Sequence, residues 1–506
     1  MPEDRPGPHV AVIGAGVAGL TAAFHLVRDA ETEGWPLRVT VFEGSPRLGG
    51  KLRVSEVAGV PVDEGAESML ARRPEGVELA RAAGLGDALA HPARVSAALL
   101  SYGALRPFPA RQVQGVPGDL DALAASGVVS QAGLDRAHRD LDAPATPLDG
   151  DVSVGAYVGE RLGREVVDRL VEPLLGGVYA GRADHLSLAA TLPAVYEAAQ
   201  ERPSLVAAAR SLLPPAPQAG TPAGPPAPVF ATVDGGMGRV PHALAGAVAA
   251  SGRGGVRTSA MVRELRRTPD GWRLTVGPTR APEYAHADAV IVAVPARPAS
   301  RLLAGVAPAA AARLARVEYA SMAIVTLAYP ASAFAAPPSG SGYLVPAVET
   351  DPVTGERRAV KAVTFVTTKW PHLARRADDL VLVRCSLGRY GDEHVLQRDD
   401  ADLAALAAGE LAGVCGIAGP PVASRVTRWG GGLPQYGVGH LDLVAGVRAD
   451  VARVPGLAVC GAAYDGVGVP ACAATARGAA GLVRAHLTTA RQWISEDDGV
   501  RGSAGQ

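Results

Sequence analysis

The first long hydrophobic run carries no polar alternation. His9-Val10-Ala11-Val12-Ile13 reads as an apolar strand, and it runs into Gly14-Ala15-Gly16-Val17-Ala18-Gly19-Leu20, beyond which the spacing turns helical. A second apolar strand is predicted from Leu37 to Phe42. Helical periodicity returns over Pro74 to Gly86, with Val77, Leu79, Ala80, Ala83 and Leu85 apolar. Ser101 to Pro117, rich in Gly, Pro and β-formers, predicts a strand pair and loop. Gly118 to Leu212 reads mostly helical, Val154 to Leu170 included. Leu213 to Pro228 is Pro, Ala and Gly with hardly a charge, which predicts an exposed, poorly ordered loop. Phe230-Ala231-Thr232-Val233-Asp234-Gly235-Gly236-Met237-Gly238 then leads into a helix through Ala250. Val256–Leu265, Trp272–Val276 and Ala289–Val294 are further strands, the last apolar enough for a parallel sheet. Tyr319 to Gln435 predicts β structure with polar hairpin loops such as Glu349 to Arg358. Leu457 to Ala463 is another buried strand, with a helix from Pro470 to Thr488 and a polar tail after Trp493 expected to fray.

Bulk properties narrow the setting. The chain has 506 residues, enough for two to four domain-sized units, and is 48% hydrophobic but only 4% aromatic, so its core must be mostly Ala, Val and Leu. A net charge of -1 gives no electrostatic case for a nucleic-acid partner. The polar start Met1-Pro2-Glu3-Asp4-Arg5-Pro6 is neither a signal nor a transit peptide, and no apolar run reaches the ~20 residues of a spanning helix. Cys385, Cys415, Cys460 and Cys472 show no paired spacing and read as reduced thiols; there is no zinc pattern. A cytoplasmic location is expected.

The opening strand supplies the first chemistry. In Gly-x-Gly-x-x-Gly, Gly14 allows the tight turn, Gly16 lets the backbone approach a pyrophosphate, and Gly19 lets helix and strand pack closely. The helix amino end then faces the phosphates with free N–H groups. Glu43, at the end of the second strand, is placed to bind ribose hydroxyls; Glu33-Gly34-Trp35-Pro36 accounts for its somewhat long distance from the glycines. Arg47-Leu48-Gly49-Gly50-Lys51 then resembles the Arg-x-Gly-Gly loop of glutathione-reductase-type flavoproteins, which implies FAD rather than a nicotinamide. Such segments at the start, middle and end of the chain imply a discontinuous cofactor domain over 9–95, 230–300 and 440–490. A β-rich substrate domain is expected over 96–117 and 301–439, a helical lobe over 118–212, and the Pro/Ala-rich loop over 213–229. The fold class expected is α/β, a glutathione-reductase/amine-oxidase-like FAD-binding fold with a mixed β-sheet substrate domain.

Four further strings go beyond a dinucleotide fold: Asp63-Glu64-Gly65-Ala66-Glu67-Ser68-Met69-Leu70; Pro173-Leu174-Leu175-Gly176-Gly177-Val178-Tyr179-Ala180-Gly181 with Leu186-Ser187; Pro434-Gln435-Tyr436-Gly437-Val438-Gly439-His440; and Gly461-Ala462-Ala463-Tyr464-Asp465-Gly466-Val467-Gly468-Val469-Pro470-Ala471-Cys472. Together they resemble the FAD-dependent coproporphyrinogen III and protoporphyrinogen oxidases of haem biosynthesis, in their soluble bacterial branch, from about residue 9 to 490. Pro-Gln-Tyr-x-x-Gly-His is the most specific of them. The resemblance implies six-electron oxidation of a porphyrinogen in three hydride transfers to a non-covalent FAD, with O2 reduced to H2O2. It also implies a hand-off of product to a downstream haem-pathway enzyme. Pyrrole nitrogens of the substrate assist hydride loss, so no protein base is nominated. Protoporphyrinogen IX is the alternative main substrate. An amine oxidase of the same fold is the main rival, with a carotenoid-desaturase-like enzyme and a non-enzymatic FAD scaffold behind it. Against the amine oxidase, the strand Val317 to Thr326 has no lysine, Val467 stands where those enzymes place an aromatic ring, and no flavin-linking cysteine lies near Pro434.

The expected cofactor contacts are Gly14, Ala15, Gly16, Gly19, Glu43, Gly44, Arg47, Gly50 and Lys51; Gly65, Ala66, Glu67 and Ser68, beside the isoalloxazine; Val262, by its backbone, at the adenine; and Gly461, Val467, Gly468 and Val469 at a helix amino end. Arg72 and Arg73 resemble a basic position used for a propionate, the alternative being surface charges opening the Pro74 helix. Tyr436 closes the substrate cavity or is a buried core tyrosine. His440, Tyr179 and Cys472 read chiefly as structural. The charges Arg161, Arg164, Glu165, Asp168 and Arg169, taken as one helix, leave the lobe no apolar plateau for a membrane anchor.

Overall fold

A computed structural model describes residues 7–144, 148–214 and 228–503, with side chains through residue 489. Its organising feature is a five-stranded parallel sheet in the order Gly254–Arg257, Arg38–Phe42, His9–Ile13, Ala289–Val292, Leu457–Val459. Its strands come from three widely separated stretches of sequence. Both faces are covered, which is why the central strands are unbroken apolar runs. Val10 and Val12 pack into a core with the helices Val17–Thr32 and Val469–Ser503. Ala11 and Ile13 face the other way, into a core built with Leu265, Trp272 and Leu274 of the antiparallel sheet Val262–Thr268, Gly271–Val276, Glu283–Ala287. The expected strand from Val256 to Leu265 is therefore two strands, one in each sheet. The last helix runs to Ser503, past the tail expected to fray, with no proline beyond Pro470 to interrupt it. The Pro/Ala-rich loop lies, from 215 to 227, outside the described residues.

A seven-stranded mixed sheet forms the second body, in the order Ala423–Pro434, Tyr319–Pro330, Leu380–Leu387, Val360–Phe365, Gly342–Leu344, Ala97–Ser101, Ala104–Pro107. Its long central strands pair antiparallel; Gly342–Leu344 and Ala97–Ser101 are parallel. One face is covered by a helix, Asp400–Cys415, inside a region whose pattern reads as β-rich with hairpin loops. Leu403, Ala407 and Leu411 make its buried stripe. Asp399 caps it by accepting the Asp402 N–H at 2.8 Å, and Gly416 ends it at φ +63°.

The lobe is helical, as its periodicity predicts, but Val154 to Leu170 is not one helix. Val154–Leu162 stops at Gly163, whose φ is +93°; a short turn and a π-helical stretch, Val167–Val171, lead into Glu172–Tyr179. Two of its charges are withdrawn from water, whereas Arg164 stays exposed. Arg161 is buried and pairs with buried Asp140 at 2.5 Å. Arg169 pairs with buried Glu349, donates to Ser101 Oγ at 3.2 Å, and lies 3.7 Å from the Tyr102 ring centroid, fastening the lobe to the sheet. Among the described residues no helix is long and apolar enough to cross a membrane.

Candidate active site

The three glycines of the opening turn answer to three different constraints. Gly14 has φ +106°, and a Cβ there would lie 2.8 Å from the Ala293 carbonyl oxygen. A Cβ on Gly19 would lie 1.9 Å from the Gly14 oxygen, so the helix lies directly on the turn. Gly16, by contrast, would meet nothing within 4 Å: its Cα borders open space at the amino end of the Val17 helix. Glu43 reaches the same turn from the neighbouring strand. One carboxylate oxygen accepts the Ala15 N–H at 2.8 Å and the other the Ser45 N–H at 2.8 Å. A Cβ on Gly44 would come within 2.5 Å of Met261 Cε, so Met261, half exposed and followed by buried Val262, closes over this end. Met261 escaped the sequence reading because only the approach of Val262–Thr268 to the Glu43 turn gives it a role.

The Arg47–Lys51 loop folds onto the same turn. The Gly49 N–H donates to the Ala15 carbonyl at 2.9 Å, and a Cβ on Gly50 would be 3.3 Å from Gly16 Cα. Arg47 donates to the Gly50 carbonyl at 3.0 Å, and its guanidinium lies 5.9 Å from the Trp429 ring. Burial pushes the Lys51 ammonium below its ordinary range. Its neighbour is the Tyr319 ring at 5.9 Å, and it has no acidic partner among the described residues. An open cradle at Gly16, a helix amino end and a half-buried cation without an anion fit the pyrophosphate of a dinucleotide.

The Glu64–Ser68 loop follows. Gly65 is required by close approach, since a Cβ would sit 1.8 Å from the Lys51 carbonyl oxygen. Glu64, almost fully buried, is held between Arg53 and Arg425, and its carbonyl accepts the Trp429 indole N–H at 2.7 Å. Glu67 points its carboxylate at Lys369 and Arg384. Burial pushes that carboxyl up, but the two cations outweigh it and hold it at about 2. Glu67 thus anchors the loop through its side chain, a role the sequence reading did not give it; Ala66 is the exposed position.

The structure joins the remaining three strings at one point. Tyr436 is buried, donates to the Ala462 carbonyl at 2.7 Å, stacks on His440 with ring centroids 3.9 Å apart, and tilts against Tyr179 at 5.5 Å. Gln435 donates to the Tyr179 carbonyl at 2.8 Å, the Ser187 N–H to the Tyr436 carbonyl at 2.8 Å, and the Gly439 N–H to Asp151 at 2.7 Å. His440 Nε2 lies 3.1 Å from the Tyr464 carbonyl oxygen, and burial lowers its pKa. Pro434–His440 is thus a clasp between the lobe and the Gly461–Val469 turn. The Tyr436 hydroxyl is spent within it, and its ring is packed against His440 and Tyr179. Partly buried Val467 packs on the Tyr436 side, Gly468 is exposed, and Val469 opens the last helix. Arg73 is the residue before helix Pro74–Ala82 and pairs with Glu75 at 3.0 Å; Arg72 is exposed and has no such partner among the described residues.

A doubly covered parallel sheet, this glycine turn and a second sheet fastened across it define a class, and comparison with known proteins agrees. Residues 17–484 match the model of the flavin-containing amine oxidoreductases, and the chain belongs to that family. Within it, the chain is 39% identical over 472 residues to the coproporphyrinogen III oxidase of Mycobacterium tuberculosis, covering 92% of this chain and 95% of the relative. It is 30% identical over 481 residues to the coproporphyrinogen III oxidase of Bacillus subtilis, covering 92% and 95%. A crystal structure from Exiguobacterium sp. 255-15, provisionally named a protoporphyrinogen oxidase, superposes with a TM-score of 0.78 at 29% identity, covering 94% of this chain and 98% of that one. The amine-oxidase-like fold and a flavin cofactor are therefore features of this protein.

Proposed function

We propose that this chain oxidises coproporphyrinogen III to coproporphyrin III, using non-covalently held FAD and dioxygen, in the cytoplasm, with its product passed to a downstream haem-pathway enzyme. The observation that carries the reading is likeness along nearly the whole chain to coproporphyrinogen III oxidases, 39% identical over 472 residues. Bound in the site, the flavin would take hydride from the reduced macrocycle and deliver the electrons to oxygen. The residues have separate tasks. Gly14, Ala15, Gly16 and Gly19, with Arg47, Gly50 and Lys51, would hold the pyrophosphate, and Glu43 and Gly44 the ribose. Val262, by its backbone, and Met261 would flank the adenine. Gly65, Ala66 and Ser68 would line the isoalloxazine from one side, and Gly461, Val467, Gly468 and Val469 from the other, where a helix amino end favours negative charge. Unpaired Arg72 is the better candidate of its pair for a substrate propionate. Tyr436 would wall the cavity.

The test is direct. The purified chain is expected to show a yellow flavin spectrum and, in air, to generate porphyrin fluorescence and peroxide from coproporphyrinogen III faster than from protoporphyrinogen IX. A chain that stays colourless after FAD reconstitution, or leaves both substrates untouched, overturns the proposal. A 27% identical relative from Bos taurus is a protoporphyrinogen oxidase, so a rate order reversed between the substrates would assign that activity instead.

A further inference from the structure

The loop Glu64–Ser68 is held from outside its own sheet. Arg384, on strand Leu380–Leu387 of the seven-stranded sheet, donates one Nη to the Gly65 carbonyl and the other to a Glu67 carboxylate oxygen at 3.2 Å. Lys369, ending the short helix Val366–Lys369, takes the other Glu67 oxygen. All three side chains are largely withdrawn from water: Arg384 is 12% exposed, Lys369 17% and Glu67 15%. The Thr232 hydroxyl fixes the same turn by donating to the Glu67 carbonyl at 2.7 Å. Two cations thus face one carboxylate directly behind Gly65 and Ala66. Asp63 is the other acid facing Arg384. Burial pushes its carboxyl up to about 7, with the Met237 N–H pulling the other way, so at neutral pH it offsets only part of the excess.

We propose that Arg384 is a positioning residue with two effects: with Lys369 it fixes the Gly65–Ser68 loop against the flavin, and it leaves net positive charge behind that loop, which raises the flavin's reduction potential. This rests on the reading that Gly65 and Ala66 face the isoalloxazine. The physics is electrostatic preorganisation. A cation held by hydrogen bonds where water is scarce stabilises the more negative, reduced ring, and it needs no rearrangement when the electrons arrive. The strand Val317 to Thr326 offers no lysine for that purpose, so the charge comes from the neighbouring strand and helix.

The experiment uses the full-length chain loaded with FAD, its reduction balanced against a dye of known potential, and FAD dissociation followed in parallel. Arg384→Met is expected to lower the equilibrium constant for flavin reduction roughly tenfold, and to weaken FAD binding. Glu67→Gln removes the opposing charge and is expected to shift that constant the other way. Arg384→Lys keeps the charge but not the two-point grip, so the potential should stay near wild type while FAD binding remains weakened. Loss of loop order alone would move Arg384→Met and Glu67→Gln in the same direction. That result, or Arg384→Met and Glu67→Gln variants that both keep the wild-type potential, overturns the proposal, and if Arg384→Met does not fold, a Glu67→Gln potential unchanged from wild type overturns it. A wild-type chain that holds no flavin is a separate outcome, which removes the proposed function and this inference together.

Discussion

Gly16 and Gly19 belong to one turn and respond differently to the same substitution. Gly16→Val places its side chain in open space, so the apoprotein should keep its stability to within about 1 kcal/mol while FAD affinity falls about tenfold or more. Gly19→Ala puts a methyl 1.9 Å from a backbone oxygen and should cost the apoprotein about 1–3 kcal/mol. Denaturant titration and FAD titration on both variants separate the two effects. Asp63 and Glu67 make a second contrast. The Asp63 carboxyl at about 7 keeps in the folded chain a proton that the unfolded chain releases near pH 4, so its contribution falls as pH rises through that window. Glu67, held at about 2, contributes stability above its unfolded value near 4, lost as pH falls toward 2. Asp63→Asn should therefore stabilise the chain at about pH 8, on the order of 3 kcal/mol, and flatten the decline between about pH 4 and 7, read by denaturation midpoints. The glycine turn was legible in sequence because each glycine has a local backbone reason. The grip on Glu67 was not, because Lys369 and Arg384 lie 302 and 317 residues away.

At the scale of elements, periodicity found the parallel strands and the lobe's helices, since both advertise burial through continuous or helical apolar spacing. It missed Asp400–Cys415, where alanine blurs the boundary between stripe and surface, although Asp399 and Gly416 mark both ends. It also fused the helix interrupted at Gly163. The clasp at Pro434–His440 was recognisable by resemblance alone: its residues act through backbone groups of two distant segments, a pattern that composition does not encode. In the lobe, fully buried Asp140 takes Arg161 on one oxygen and the Ser204 hydroxyl and Val206 N–H on the other. Arg161→Ala would strand that carboxylate and should cost about 3–5 kcal/mol. Limited proteolysis should find the lobe cut first, before the parallel sheet opens.

For the whole molecule, three of the four strings converge where the lobe meets the Gly461–Val469 turn, and the proposed function puts propionate binding on Arg72. Arg73 is already engaged by Glu75, and Arg72 is not. Arg72→Ala is expected to raise KM for coproporphyrinogen III about tenfold with kcat little changed, whereas Arg73→Ala should leave both within about twofold. Steady-state kinetics with each variant checks this, and equal effects from the two substitutions would contradict the assignment of Arg72 alone. The strands of the parallel sheet were readable from recurring apolar runs. How the lobe is fastened was not, because Arg169, Glu349 and Ser101 come from three distant places.

Leu457–Val459 completes the parallel sheet against Ala289–Val292, and the helix from Val469 covers a face that the opening strand and the Val17 helix share. A nascent polypeptide still short of those residues has its glycine turn but lacks the neighbours that support it. The support of that turn is therefore among the last parts to be finished during synthesis, and, with the flavin held there as proposed, uptake is expected from a nearly full-length chain.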